Sequence, residues 1–272
     1  MKIRRIISGL IVGVSLISFI GCGDKKTYDI KFNPSSGEEY SATSIIKMDA
    51  TAKGQKLAID ANVKCNIKYV DVSKDEITEE MKYDDFDMNM NIGGAISVEI
   101  NEDNDMFKDV ISELKSSKIT VTVDREGNVL TYDIEGGEAL KSKADSLNLI
   151  SKDSAFSVDN ACMLENIKVK EGEEIIIPLD KLLGKDTENK LGVNFEDSKL
   201  IGKVKSIKNN VAEINFNIDS MKLGENDATL KDFKCNMKVN VKTGITENIN
   251  VNAKLEGSIE GTIDIKNTMK KK

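Results

Sequence analysis

The chain has 272 residues, 31% of them charged, a formal net charge of −7, and neither histidine nor tryptophan. Without histidine there is no Ser-His-Asp or Cys-His pair and no histidine-based zinc site. An acidic, aromatic-poor exterior offers no basic face to phosphate, which excludes nucleic acid as a partner.

The N-terminus comes first in chain order. Lys2, Arg4 and Arg5 precede an uncharged apolar run at residues 6–20. A basic start and a short greasy stretch form a secretory signal; fifteen helical residues span about 22 Å, short of a roughly 30 Å hydrocarbon core. The run ends in Phe19-Ile20-Gly21-Cys22 and resembles a bacterial lipobox. That resemblance implies cleavage between Gly21 and Cys22, with diacylglycerol and palmitate carried on Cys22. The alternative is an ordinary signal peptide with a coincidental cysteine. Each buried CH₂ contributes about 0.8 kcal/mol, so two or three acyl chains would hold the protein stably. The expected address is the cell membrane, lipid-anchored and facing outside the cytoplasm. The mature chain would keep 251 residues with 36 basic and 46 acidic side chains, enough for one large β domain or two small ones.

Beyond a linker at residues 22–36, alternation dominates. Leu57, Ile59, Ala61, Val63, Cys65, Ile67 and Tyr69 sit at odd positions with mostly polar residues between them. Period two with one wet face predicts antiparallel strands. Further strands are predicted at residues 77–83, 86–92, 119–123, 129–134, 214–218 and 233–241. Turns are expected at Ser73-Lys74-Asp75, at residues 125–128 and at Lys208-Asn209-Asn210. A switch of apolar phase at Asp84-Asp85 marks a bulge or turn. Met106, Phe107, Val110, Ile111 and Leu114 form one stripe behind a capping Asp or Asn, which predicts a helix. A second short helix is expected within residues 136–151, and a single turn at 178–184. At residues 245–265 every even position from 246 to 264 is polar, while Ile249, Val251, Ala253, Leu255, Ile259 and Ile263 share the odd phase. Such a run exceeds an ordinary strand, so Gly257 and Gly261 are expected to bend or break it. Lys270, Lys271 and Lys272 read as a frayed, solvated tail.

Chemistry has few candidates. Cys65, Cys162 and Cys235 lack disulfide or C-x-x-C spacing, and Cys65 and Cys235 fall on apolar strand phases as small buried hydrophobes. The acidic stretches at residues 101–107 and 83–87 lack the alternate ligands, central Gly and closing Glu of a calcium loop. They read as helix N-terminal charges and a solvated strand edge. Carboxylates could serve as a glycosidase pair, yet stacking aromatics are scarce. No metal or cofactor is expected.

Gly37-Glu38-Glu39-Tyr40 recurs as Gly172-Glu173-Glu174-Ile175, an offset of 135, whereas Lys64-Cys65-Asn66-Ile67 recurs at Lys234 with an offset of 170. The first predicts two β-rich halves, residues 37–165 and 166–272. With the hairpins around residues 71–90 and 119–136, this layout resembles a family of uncharacterised bacterial lipoproteins whose halves each open on a Gly-acidic segment. In general layout it is also similar to half-barrel envelope lipid-carrier lipoproteins. The expected fold is mainly β: curved antiparallel sheets, half-barrel or sandwich-like, in two similar halves with one or two short helices. The expected function is non-enzymatic binding of an apolar ligand, a lipid or acyl chain, or of another envelope component. The alternatives are an interaction lipoprotein with a closed core and a carboxylate hydrolase. Ile249, Val251, Leu255 and Ile259 are the candidate ligand-lining residues, taken as one inward row.

Overall fold

A computed structural model describes residues 26–52, 54–125, 129–138, 164, 166–178, 199–223 and 228–272. Its fourteen strands are β1 (Tyr28–Ile30), β2 (Glu39–Ala52), β3 (Gln55–Val72), β4 (Glu76–Ile92), β5 (Ile96–Ile100), β6 (Lys118–Asp124), β7 (Val129–Glu135), β8 (Ile167–Val169), β9 (Glu174–Pro178), β10 (Lys199–Lys208), β11 (Val211–Leu223), β12 (Ala228–Asn240), β13 (Thr246–Gly257) and β14 (Ile259–Lys271). Among the described residues one helix, α1 (Lys108–Ser116), interrupts them. The fold is mainly β, as the alternation requires. β1 and β8 form a small ribbon; the rest join one antiparallel sheet in the order β7-β6-β4-β3-β2-β14-β13-β12-β11-β10-β9, with β5 on β4. The path ends at β7 and β9 without pairing them, so the sheet does not close into a barrel.

The 135-residue offset is written into the hydrogen bonds. The Gly37 N–H donates to the Tyr69 carbonyl and the Gly172 N–H to that of Val204. The return bonds, Tyr69 to Glu38 and Val204 to Glu173, repeat the pattern. Gly37 and Gly172 hold φ of 84° and 89°, a region that disfavours a Cβ. The pairing order within β2-β3-β4-β6-β7 recurs in β9-β10-β11-β12-β13, and β14 bridges the two sets. The 170-residue match has no such counterpart: Cys65 lies on β3 opposite Tyr83, Cys235 on β12 between Phe216 and Val251.

Each set of strands has its own apolar cluster. One gathers Tyr40, Ile67, Tyr69, Ile77, Met81 and Ile119 around Phe32. Tyr69 stands edge-on to Phe32 and Tyr40, with ring centroids 5.5 and 5.7 Å away. The other gathers Ile177, Val204, Ile214, Phe216 and Met237 around Ile30 and Leu164. Thus the β1 segment supplies Ile30 to one cluster and, two residues on, Phe32 to the other. The cross-strand trio Tyr40–Ile67–Met81 has the counterpart Ile175–Gly202–Phe216. A glycine in the middle makes room for the larger ring at one end.

Several expectations change. Residues 77–83 and 86–92 belong to one strand, β4, and the phase switch is a bulge in which Lys64 pairs with Asp85 and Cys65 with Tyr83. The acidic stretch lies between the part of β4 paired with β6, which ends at Met81, and the part paired with β5, which starts at Met88. It therefore pairs with β3 alone, and Asp84 and Asp87 are exposed, as a solvated strand edge requires. Asp85 bonds the Lys64 ammonium at 2.9 Å, and Asp84 accepts from Asn66 at 2.6 Å. The run at 245–265 breaks at Gly257, with φ of 102°, into the hairpin β13–β14. Gly261 breaks nothing; it lies inside β14 opposite Ala50, whose Cα would stand 2.6 Å from an added Cβ. Helix α1 is capped by Phe107 rather than an Asp or Asn side chain, and Met106 is exposed ahead of it. Only Ile111 of its stripe is fully buried. The basic tail is not frayed: β14 runs to Lys271, which pairs with Tyr40, while its ammonium meets Glu38 at 2.6 Å. Burial pulls the Glu38 carboxyl up, but hydrogen bonds from Lys271 and Tyr40 outweigh it and hold it below its ordinary value. The strands β2 and β10 carried no clear alternation because small or polar residues, such as Ala42, Ser44 and Gly202, occupy part of their apolar phase.

Candidate apolar binding face

The cross-strand register turns the alternation into rows of side chains running across the sheet. Val98 lies opposite Met90, Met90 opposite Ile59, Ile59 opposite Met48, Met48 opposite Ile263, and Ile263 opposite Ala253. A parallel row runs Ile100, Met88, Ala61, Ile46, Ile265 and Val251. A third runs Ile96, Ile92, Leu57, Ala50, Gly261 and Leu255. Six strands at about 4.8 Å spacing make each row about 24 Å long.

These rows are not sealed. From Val98 to Ile263 every residue of the first row is half-buried, and so are Met88, Ile46, Ile265 and Val251. Ile92 is 40% and Ile96 57% exposed. The two clusters, by contrast, contain Tyr69, Ile67, Ile214 and Phe216 at 0%. The same apolar phase is therefore closed within the clusters and open across β5-β4-β3-β2-β14. Three methionines, Met48, Met88 and Met90, lie in the open part, and their unbranched thioethers adapt to an irregular guest.

Of the four candidate lining residues, Ile249 and Leu255 are 7% and 8% exposed. Ile249 packs in the second cluster. Val251 and Ile259 are half-buried. They do not form one row on one strand: Ile259 lies beyond the turn, on β14 opposite Ala52 of β2. The open residues Met48, Ile59, Met90 and Ile263 were not singled out from sequence. For Met90 a signal was present, the eleven-residue stretch 88–98 that carries no charge in a chain where 31% of residues do; Met48, Ile59 and Ile263 carry no such mark. Gly21 and Cys22 lie outside the described residues, as do Cys162 and the expected second helix from residue 139 onward.

The opposite face is polar and hollow over β2-β5 and β14, forming a cleft of about 740 Å³. Asp49, Asp60, Asp87, Glu99 and Asp264 line it with Lys47 and several asparagines. Lys47 meets Asp60 at 3.0 Å and Lys56 meets Asp49 at 3.6 Å; the Asp60 and Asp49 side chains are 58% and 60% exposed. Neither is the desolvated carboxyl that acid–base chemistry requires. Among the described residues no group of His, Cys, Asp or Glu is placed to hold a metal ion, and no helix is long and apolar enough to cross a membrane.

Among the described residues Cys65 and Cys235 form no disulfide, and both are buried, 1% and 4% exposed. Burial pushes the Cys235 thiol up to about 12. Burial, with Cys65 and Glu79 nearby, also lifts the Tyr83 phenol well above its ordinary value. Both thiols are expected to alkylate slowly in the native protein and fast after unfolding. Rapid labelling of either under native conditions would contradict this register, because a one-residue slip turns every side chain over.

No family model matches the chain, and no curated protein matches it. Among solved structures it is similar to a lipovitellin chain described for its lipid–protein interactions, at 10% identity and a TM-score of 0.45, over 89% of this chain and 25% of that one. It is also similar to an outer membrane channel from Pseudomonas putida F1, at 9% identity and a TM-score of 0.22, over 93% of this chain and all of that one. This chain spans about a quarter of the lipovitellin chain, and neither likeness assigns it to a family.

Proposed function

We propose that this protein is a lipid-anchored, extracytoplasmic, non-enzymatic binding protein that holds an apolar ligand, a lipid or acyl chain, on the open rows of its sheet. The observation that carries the reading is the half-exposed row Val98–Met90–Ile59–Met48–Ile263, continuous with two closed clusters. Large contiguous apolar patches on soluble domains mark binding surfaces. A guest about as long as the row is wide would restore the burial that the row lacks. Solvent extracts of the purified protein, analysed by mass spectrometry, should yield an acyl-containing species, and a fluorescent fatty acid should bind and be displaced by that extract. Failure of both leaves the interaction lipoprotein with no ligand. The anchor has its own test: Cys22→Ala should abolish lipoprotein processing and move the protein from membrane to soluble or precursor pools. A mature N-terminus elsewhere, with no acyl mass on Cys22, would remove the lipobox reading.

The carboxylate-lined cleft favours a second reading, a polar-ligand site on the other face. Asp60→Asn with Asp87→Asn separates the two, because neither change touches the apolar rows.

A further inference from the structure

The sheet has two unlike ends. At one end lie the turn at Ser73–Glu76 and the β12–β13 connection, which bonds Asn33 through the Thr243 carbonyl. There Arg125 donates to the main-chain oxygens of Phe32, Ser73 and Lys74, tying the N-terminal segment to the strand ends. At the other end are the tips of the β2–β3, β4–β5 and β13–β14 hairpins. The seventeen residues of β4 put these ends about 56 Å apart at about 3.3 Å per residue.

The β4–β5 tip is apolar where a solvent-facing turn is ordinarily polar, unlike the neighbouring tips, which expose Gln55, Lys56, Glu256 and Ser258. Ile92 and Ile96 are cross-strand partners flanking Gly93-Gly94, and they are 40% and 57% exposed. Ala95, in the turn between them, is exposed too. The glycines hold φ of 66° and 73°, and the Gly93 N–H donates to the Lys56 carbonyl at 2.6 Å, so the turn is fixed to the next hairpin. The Ile92–Ile96 pair is also the first step of the third apolar row.

We infer that the β4–β5 tip, through Ile92 and Ile96, inserts into a lipid surface and is the end at which an acyl chain enters the open rows. A hairpin tip with two isoleucines is too narrow for the roughly 800 Å² per partner that a stable protein contact needs. Shallow insertion of a few apolar side chains among headgroups asks for far less area. The absence of charge from residue 88 to 98 removes the desolvation penalty that would oppose insertion. The acyl-entry part rests on the ligand reading above; the insertion part does not.

The chain has no tryptophan, which supplies a clean local reporter. Ile96→Trp and Ile176→Trp each introduce a single indole at sites of matched exposure, 57% and 55%, the second on the edge strand β9. Each is made in the whole chain with Cys22→Ala, checked by circular dichroism, and mixed with phosphatidylcholine–phosphatidylglycerol vesicles carrying brominated acyl chains. The Ile96→Trp emission should shift to the blue and lose most of its intensity, while that of Ile176→Trp should not change. Adding Ile92→Asp to Ile96→Trp should restore the unquenched signal. Equal quenching at both sites, or none at Ile96→Trp, overturns the insertion. A fluorescent fatty acid added to the same samples separates the two readings. Retained acyl binding without tip quenching removes the insertion alone, and tip quenching without acyl binding supports the insertion while removing the ligand.

Discussion

Gly202→Ala is expected to destabilise the protein by about 1–3 kcal/mol, although glycine in a strand interior is ordinarily worth replacing. Gly202 lies directly opposite Phe216, and an added Cβ would clash with the ring, 2.9 Å from Cζ and closer still to Cε1 and Cδ1. Phe216 is fully buried and cannot swing into solvent. Truncating the ring instead, Phe216→Ala, should cost about 3–5 kcal/mol through lost burial and a cavity. Combining Gly202→Ala with Phe216→Leu should cost less than the sum of the two single changes, with a coupling of about 1 kcal/mol or more. Denaturant unfolding of the four proteins measures it. Strict additivity would mean that the ring and the glycine do not share space, and that the exchange of volume between Tyr40–Ile67–Met81 and Ile175–Gly202–Phe216 has no energetic content.

Truncations on the open rows should behave differently. Ile214→Ala and Ile67→Ala, both at 0% exposure, should each cost about 2–5 kcal/mol. Met48→Ala, Ile59→Ala and Ile263→Ala start from half-buried side chains. They lose only part of the transfer energy and leave no enclosed void, so about 1 kcal/mol each is expected. Binding of a fluorescent acyl probe should weaken about tenfold for each, as roughly two methylene contacts with the guest are lost. Polar replacements sharpen the contrast: Met48→Asp should leave a folded protein that binds no probe, whereas Ile214→Asp should not fold. Ile249 and Leu255, at 7% and 8% exposure, belong with the core in this experiment. Core-sized losses at Met48, Ile59 and Ile263, with no probe bound by the parent protein, would sink the binding face and leave a closed-core interaction protein.

The sequence by itself determined the strands that alternate clearly, and their faces. Period two is a local property, since successive side chains on a strand must point to opposite sides. Leu57 to Tyr69 and Phe233 to Val241 therefore showed their buried phase before any partner was known. The Asp84-Asp85 bulge was legible for the same reason, as one extra residue shifts the phase. The recurrence of Gly37-Glu38-Glu39 at Gly172 was legible because a left-handed loop position selects glycine. What the tertiary structure decided was which stretches of that apolar phase are covered. Ile214 and Ile263 look alike in sequence, each an isoleucine between polar neighbours. One ends in a closed cluster and the other on an open row, because burial depends on what faces a strand from across the sheet and from other elements. β14 is the clearest case: its place between β13 and β2 joins the last residues of the chain to the first half. That contact, Lys271 on Glu38 and Ile263 on Met48, spans more than two hundred positions and leaves no mark in either segment alone. The same pairing drew a tail that looked frayed into a strand, and it added β14 to the open face.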